Sequence, residues 1–147
     1  MKLKLSNVPI PEAHLVGLLI GFILQRLIGI IHFPVSQFLT ILGWILLIAG
    51  VCFSAWAVIE AAEIQISSPA NLITSGPFAF SRNPMYLGWF DIYCGLALLI
   101  NAPWMFVMLP MVLIYNHFVD IRGEELKLTQ KFGKKYIDYQ KKVRRYI

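Results

Sequence analysis

The chain has 147 residues, of which 58% are hydrophobic and only 14% charged, with a mean hydropathy of +0.66. A soluble domain of this length is nearer half apolar and a quarter charged, so a freely soluble fold is excluded and an all-α, polytopic integral membrane protein is expected. The net charge of +5 and a pI of about 9.4 are accounted for by basic residues touching anionic headgroups, and no nucleic-acid partner is expected.

Four apolar runs follow in chain order. The first spans about 13–31 and the second about 35–59. A polar interval, 60–83, precedes a third at 85–100 and a fourth at 104–119. Asn101-Ala-Pro103 leaves room only for a tight turn, so the last two read as an antiparallel hairpin. Pro110 should kink the fourth or loosen its hydrogen bonds. Lys2 and Lys4 precede the first run as a signal peptide would require, yet no small-x-small site follows Leu24, so a true span is expected.

Basic residues set the orientation. With four spans, Lys2, Lys4, Arg82 and every Lys or Arg from Arg122 onward share one side, while Arg26 alone lies near the other. Both termini, the 60–83 loop and the 120–147 tail are therefore expected on the cytoplasmic side of a single membrane domain. Cys52 and Cys94 fall within spans and read as buried apolar thiols. No CxxC, His/Cys cluster, P-loop or GxGxxG is present, so no metal and no soluble-type nucleotide fold is indicated. Nothing in the sequence sets an oligomeric state.

The polar interval is longer than two helices need. It carries Ser75-Gly76-Pro77 as turn chemistry, Leu72, Ile73, Phe78 and Phe80 as packing residues, and Asn83-Pro84 as a break before a new helix. Amides at that helix start, with Arg82, suit an anionic or zwitterionic group. In the tail, Leu128, Phe132, Tyr136, Tyr139 and Val143 share one face of an expected helical extension of the fourth span. Glu124 and Glu125 sit where that helix leaves an anionic membrane surface, a place where acids are repelled unless they hold something cationic.

The pattern over Leu72–Gly88, followed by Glu124-Glu125 with Leu128, Phe132-Gly133, Tyr136, Tyr139, Val143 and Arg145, resembles the isoprenylcysteine carboxyl methyltransferase and phospholipid methyltransferase superfamily. The resemblance covers roughly the C-terminal half of the chain. It implies S-adenosylmethionine as methyl donor, S-adenosylhomocysteine as product, and a lipophilic or membrane-embedded substrate at the cytosolic face. Carried over by position, cofactor contacts fall on Asn71, Leu72, Ile73, Phe78, Asn83, Pro84, Met85, Tyr86 and Glu124, with Glu63 a weaker candidate. Asn83 stands where many members have His, which leaves backbone contacts but no imidazole there. The prenylcysteine enzymes carry a carboxylate-holding Arg four residues before the matching Glu. Here that residue is Asp120, and Arg122 lies two before Glu124, which counts against a prenylcysteine carboxylate.

The residue chemistry agrees in outline. Glu124 and Glu125 suit the cofactor's amine, Arg82 its carboxylate, and Tyr86, Phe78, Tyr136 and Tyr139 its flat or cationic parts. Methyl transfer from a sulfonium rests on positioning and water exclusion. Should the acceptor lose a proton, Glu125, Asp120 and His117 are the nearby groups. Asp91, an acid within the third span, is either a substrate contact, a partner of Arg26 or a structural hydrogen-bonding group, and Arg122 is a second substrate candidate. His14 reads as an interface residue. Two other readings stand beside this one: an NADPH-dependent membrane reductase of related C-terminal architecture, and a non-enzymatic membrane scaffold.

Overall fold

Apolar runs without water to bond their backbone must wind into helices, and this chain does so throughout. The computed structural model describes residues 12–67 and 71–147, all helix, turn or coil with no strand among them. The helices are α1 (Glu12–Ile28), α2 (Gln37–Ser67), α3 (Pro84–Leu99), α4 (Pro103–Tyr115), α5 (Ile121–Phe132) and α6 (Lys134–Lys142). A 3-10 turn occupies Gly76–Ala79, and a π-turn, Asn116–Asp120, joins α4 to α5 without breaking the helix. Among the described residues, two helices are long and apolar enough to cross a membrane, Gln37–Ala62 and Pro103–Phe132, and Pro84–Leu99 is a shorter apolar helix.

Glycines set the packing. A Cβ on Gly88 would lie 2.8 Å from the Gly50 carbonyl oxygen, and one on Gly95 2.8 Å from that of Gly43, so α2 and α3 meet backbone to backbone. Small residues permit this approach, and dispersion contacts then hold helices together where lipid is as apolar as the side chains. A similar approach joins α1 to α4, with a Cβ on Gly21 only 2.7 Å from the Met105 Cα. Tyr93, Cys94, Ala97, Met105, Leu109 and Val112 form the buried core between them. The outward faces stay apolar: Ile41, Trp44, Ile45 and Ile48 on α2 are all exposed, as a lipid-facing surface requires.

The α3–α4 hairpin turns at Asn101, which takes a left-handed φ of 52°. Its side chain accepts from the Phe33 amide at 2.8 Å and donates to the Phe33 carbonyl at 3.3 Å, tying the α1–α2 connection to the hairpin turn.

Several boundaries differ from the sequence reading. The second helix continues eight residues past Ile59, to Ser67, so it takes in part of the expected loop. The fourth helix passes through Pro110 and continues into the tail as expected. That tail is not one helix, because Gly133 at φ 53° ends α5 and starts α6 in a new direction. Cys52 is exposed and only Cys94 is buried. His14 is no interface residue, being fully buried. Asp91 is half-buried and Arg26 exposed, with no ion pair between them. Lys2 and Lys4, and the side chain of Glu63, lie outside the described residues.

Candidate active site

Two cavities meet at one tyrosine. Tyr86 stands in the first turn of α3, which begins at Pro84 because that position needs no N–H donor. Its hydroxyl donates to Glu124 Oε1 on α5 at 3.0 Å. The first cavity, about 730 Å³, lies between α1 and the α4–α5 helix. Tyr86 of α3, Asp120 of the π-turn and Glu124 of α5 border it, and Met108, Met111 and Val112 border it within α4. The second, about 500 Å³, is bordered by Tyr86 again, with His14, Asn116, His117, Tyr146 and apolar side chains of α3 and α4.

Burial raises the Glu124 carboxyl above its ordinary range, while the Tyr86 hydrogen bond pulls it back. A carboxylate held this way gains most from a cationic ligand, which restores the favourable surroundings it lost on leaving water.

The neighbouring acid is used differently. Glu125, 8% exposed, takes Arg82 Nη1 at 2.9 Å on one oxygen and Arg145 Nη2 at 2.6 Å on the other. Arg145 Nε adds a third contact at 3.0 Å. Arg145 Nη1 also donates to His117 Nε2 at 3.0 Å, and His117 Nδ1 lies 2.8 Å from the Tyr146 hydroxyl. The segment after α6 therefore folds back over the start of α3. There the Arg145 carbonyl accepts from Asn83 Nδ2 at 3.0 Å and Ser81 Oγ at 3.3 Å, and the Arg144 carbonyl accepts from the Arg82 amide at 3.0 Å. Tyr139 donates its hydroxyl to the Phe78 carbonyl at 2.6 Å, and burial pushes that phenol up to about 12.

The sequence-derived residues thus separate into groups. Tyr86, Glu124 and Asp120 come together on the first cavity. Arg82, Glu125, Asn83, His117 and Tyr139 are engaged in the fold-back network. Tyr136 is buried beside Tyr139, ring centroids 6.0 Å apart. Asn71, Leu72, Ile73, Phe78, Pro84 and Met85 line neither cavity, and nor do Asp91 and the exposed Arg122. Sequence reasoning missed His14 and Asn116, and gave Arg145 no role although its motif included it.

The family model described as phospholipid methyltransferase matches residues 38–135, about two-thirds of the chain. The chain belongs to this family. It is 30% identical over 109 residues to the protein-S-isoprenylcysteine O-methyltransferase of Rattus norvegicus, covering 69% of this chain and 38% of that protein. The Saccharomyces cerevisiae enzyme of the same name is 33% identical over 116 residues, 74% of this chain and 48% of its own length. Protein-S-isoprenylcysteine O-methyltransferase B of Arabidopsis thaliana is 26% identical over 153 residues, 97% of this chain and 77% of its own. The chain thus spans less than half the length of the rat and yeast relatives. No solved structure matches it. Within this phospholipid methyltransferase chain, Tyr86, Asp120, Glu124 and Glu125 fall inside the matched segment, whereas His14, Arg145 and Tyr146 fall outside it.

Proposed function

We propose that the protein transfers a methyl group from S-adenosylmethionine to a lipophilic, membrane-embedded acceptor at the cytosolic membrane face. In this reading four helices cross the bilayer and both termini are cytoplasmic, with S-adenosylhomocysteine the product. The observation that carries the reading is the Tyr86–Glu124 bond, set inside the family-matched segment where an acid-bordered cavity and an apolar one adjoin.

The donor set of the first cavity fits S-adenosylmethionine. Asp120 and Glu124 suit a ligand bearing an ammonium and a sulfonium, and the Tyr86 ring borders the same space. A volume of about 730 Å³ lies within the usual range of small-molecule sites. When bound, the sulfonium supplies an electrophilic methyl group. Glu124 would hold the amino group, Tyr86 would fix the Glu124 carboxylate, and the apolar residues of α1 and α4 would keep water out. Of the three acid–base candidates, Asp120 alone borders this cavity.

Calorimetric titration of the detergent-purified protein with S-adenosylhomocysteine, with NADPH in parallel, tests the reading. Micromolar binding of S-adenosylhomocysteine alone is expected. Binding of NADPH alone would favour a reductase, and binding of neither a non-enzymatic scaffold.

A further inference from the structure

A buried polar pair lies under the second cavity. His14, on α1 and ahead of the family-matched segment, is 0% exposed. Asn116, in the π-turn, is 3% exposed. The carboxamide Nδ2 lies 3.1 Å from His14 Nδ1 and 3.5 Å from His14 Nε2, so it meets the imidazole on both ring nitrogens. Asn116 Oδ1 has no hydrogen-bond partner among the described residues. The pair thus retains one free acceptor, Asn116 Oδ1.

Buried polar groups are seldom left unmet, and those that are deserve a ligand or a reason. A π-turn has its own conformational cost and recurs at functional sites. Here it brings Asn116 to the border of the second cavity, opposite His14. The rest of that border is apolar apart from Tyr86, His117 and Tyr146, whose polar atoms are already engaged with Glu124, Arg145 and one another, and it holds no Lys, Arg, Asp or Glu. Arg145, next in sequence to the border residue Tyr146, is already taken by Glu125 and His117. The cavity also opens among side chains that face outward: Ile114 is 59% and Phe118 60% exposed.

Resting on the methyl-transfer reading, we infer that His14 and Asn116 select the acceptor by its head group, a neutral hydroxyl that donates a hydrogen bond to Asn116 Oδ1, and that they reject a carboxylate. A hydroxyl supplies the donor that Asn116 Oδ1 lacks. A carboxylate would meet Asn116 Oδ1 oxygen to oxygen, with no cation on the cavity border to compensate it. Membership of the family would leave this preference open, since one of the two residues lies outside the matched segment.

The test compares 4-nonylphenol with 4-nonylbenzoate, two probes with the same tail, by equilibrium dialysis against the protein in detergent micelles and against empty micelles. The wild-type protein is expected to bind the phenol at least about tenfold more tightly. His14→Phe and Asn116→Leu should each lose that preference, while S-adenosylhomocysteine affinity in the same samples stays unchanged. Equal binding of both probes, tighter binding of the benzoate, or binding of neither by the wild-type chain would overturn the inference, and none of these needs a variant to fold. Loss of S-adenosylhomocysteine binding with the phenol preference intact would instead remove the methyl-transfer reading and leave the head-group selection standing.

Discussion

Arg145 reaches back from beyond α6 to grip Glu125 on α5, with Nη2 2.6 Å and Nε 3.0 Å from the two carboxylate oxygens. The same carboxylate holds Arg82, so three segments distant in sequence converge on one side chain. Glu125→Ala would leave Arg82, 11% exposed at its side chain, without its counter-charge. Removing one partner of such a pair costs about 3 kcal/mol or more. The thermal inactivation midpoint in detergent should therefore fall by several degrees, and Arg145→Ala, removing the more exposed partner, should cost less. Equal midpoints for wild type and both variants would show the clamp to be idle.

Glu124 should behave otherwise. Glu124→Gln is expected to weaken S-adenosylhomocysteine binding by roughly tenfold, a charge-assisted hydrogen bond being worth about 1.5–3 kcal/mol. Its folding stability should change little or rise, since burial disfavours the charged carboxylate it removes. Tyr86→Phe should weaken binding less. Calorimetry on the two variants checks the order, and intact affinity in both would take Glu124 out of the site.

The same carboxyl sets a pH dependence. Its ionisation is shifted upward, and only the ionised form suits a cationic amine. Affinity for S-adenosylhomocysteine should therefore fall as pH drops, beginning above the ordinary carboxylate range. In Glu124→Gln that slope should flatten. A slope unchanged by the substitution would assign the titration to another group.

Glycine substitutions should show opposite signs at two positions. A Cβ on Gly88 would lie 2.1 Å from Ser54 Oγ and 2.8 Å from the Gly50 carbonyl, so Gly88→Ala must push α2 from α3. Overpacking of this kind costs about 1–3 kcal/mol. Gly123, in α5, has nothing within 4 Å of such a Cβ, and Gly123→Ala should stabilise by about 0.5–1 kcal/mol through helix propensity. Thermal midpoints of the two variants give the comparison directly.

Tyr139→Phe removes the hydroxyl that holds the Phe78 carbonyl and should cost about 1 kcal/mol. In the wild type the phenol titrates near 12 when folded, against its usual 10.0. The folded state thus keeps a proton that the unfolded chain gives up, and stability should decline as pH rises across that window. The variant should lose this part of the alkaline decline, as pH-dependent inactivation curves would show.

Much of this was legible in the sequence. Apolar runs gave the helices, and Asn101-Ala-Pro103 gave the hairpin turn, because both depend on local chemistry alone. The extension of α2 to Ser67 was not legible, since a helix leaving an apolar layer acquires polar residues that read as a loop. In the tail, a single face was traced straight through Gly133, although a glycine before Lys134-Lys135 is itself a stop signal. Glu124 and Glu125 were alike as neighbouring acids. About 100° of helical rotation separates them, and it sends one to Tyr86 and the other to the arginines. Which goes where depends on the fold-back of residues 143–147, a long-range arrangement that no local pattern carries. His14 and Asn116 were beyond reach for the same reason, being 102 positions apart.

The uninterrupted helix from Pro103 to Phe132 also works as a ruler. At about 1.5 Å per residue, Glu124 lies about 32 Å along the axis from Pro103. Set in a bilayer whose hydrocarbon layer is about 30 Å thick, this fixed length would place the acid just where oil gives way to water. Shortening the helix by one turn would draw Glu124 down among the acyl chains; lengthening it would lift the acid out of reach of anything dissolved in them. On the methyl-transfer reading, the register of this helix, as much as the identity of its residues, would set the depth at which a water-soluble and an oil-soluble molecule can meet.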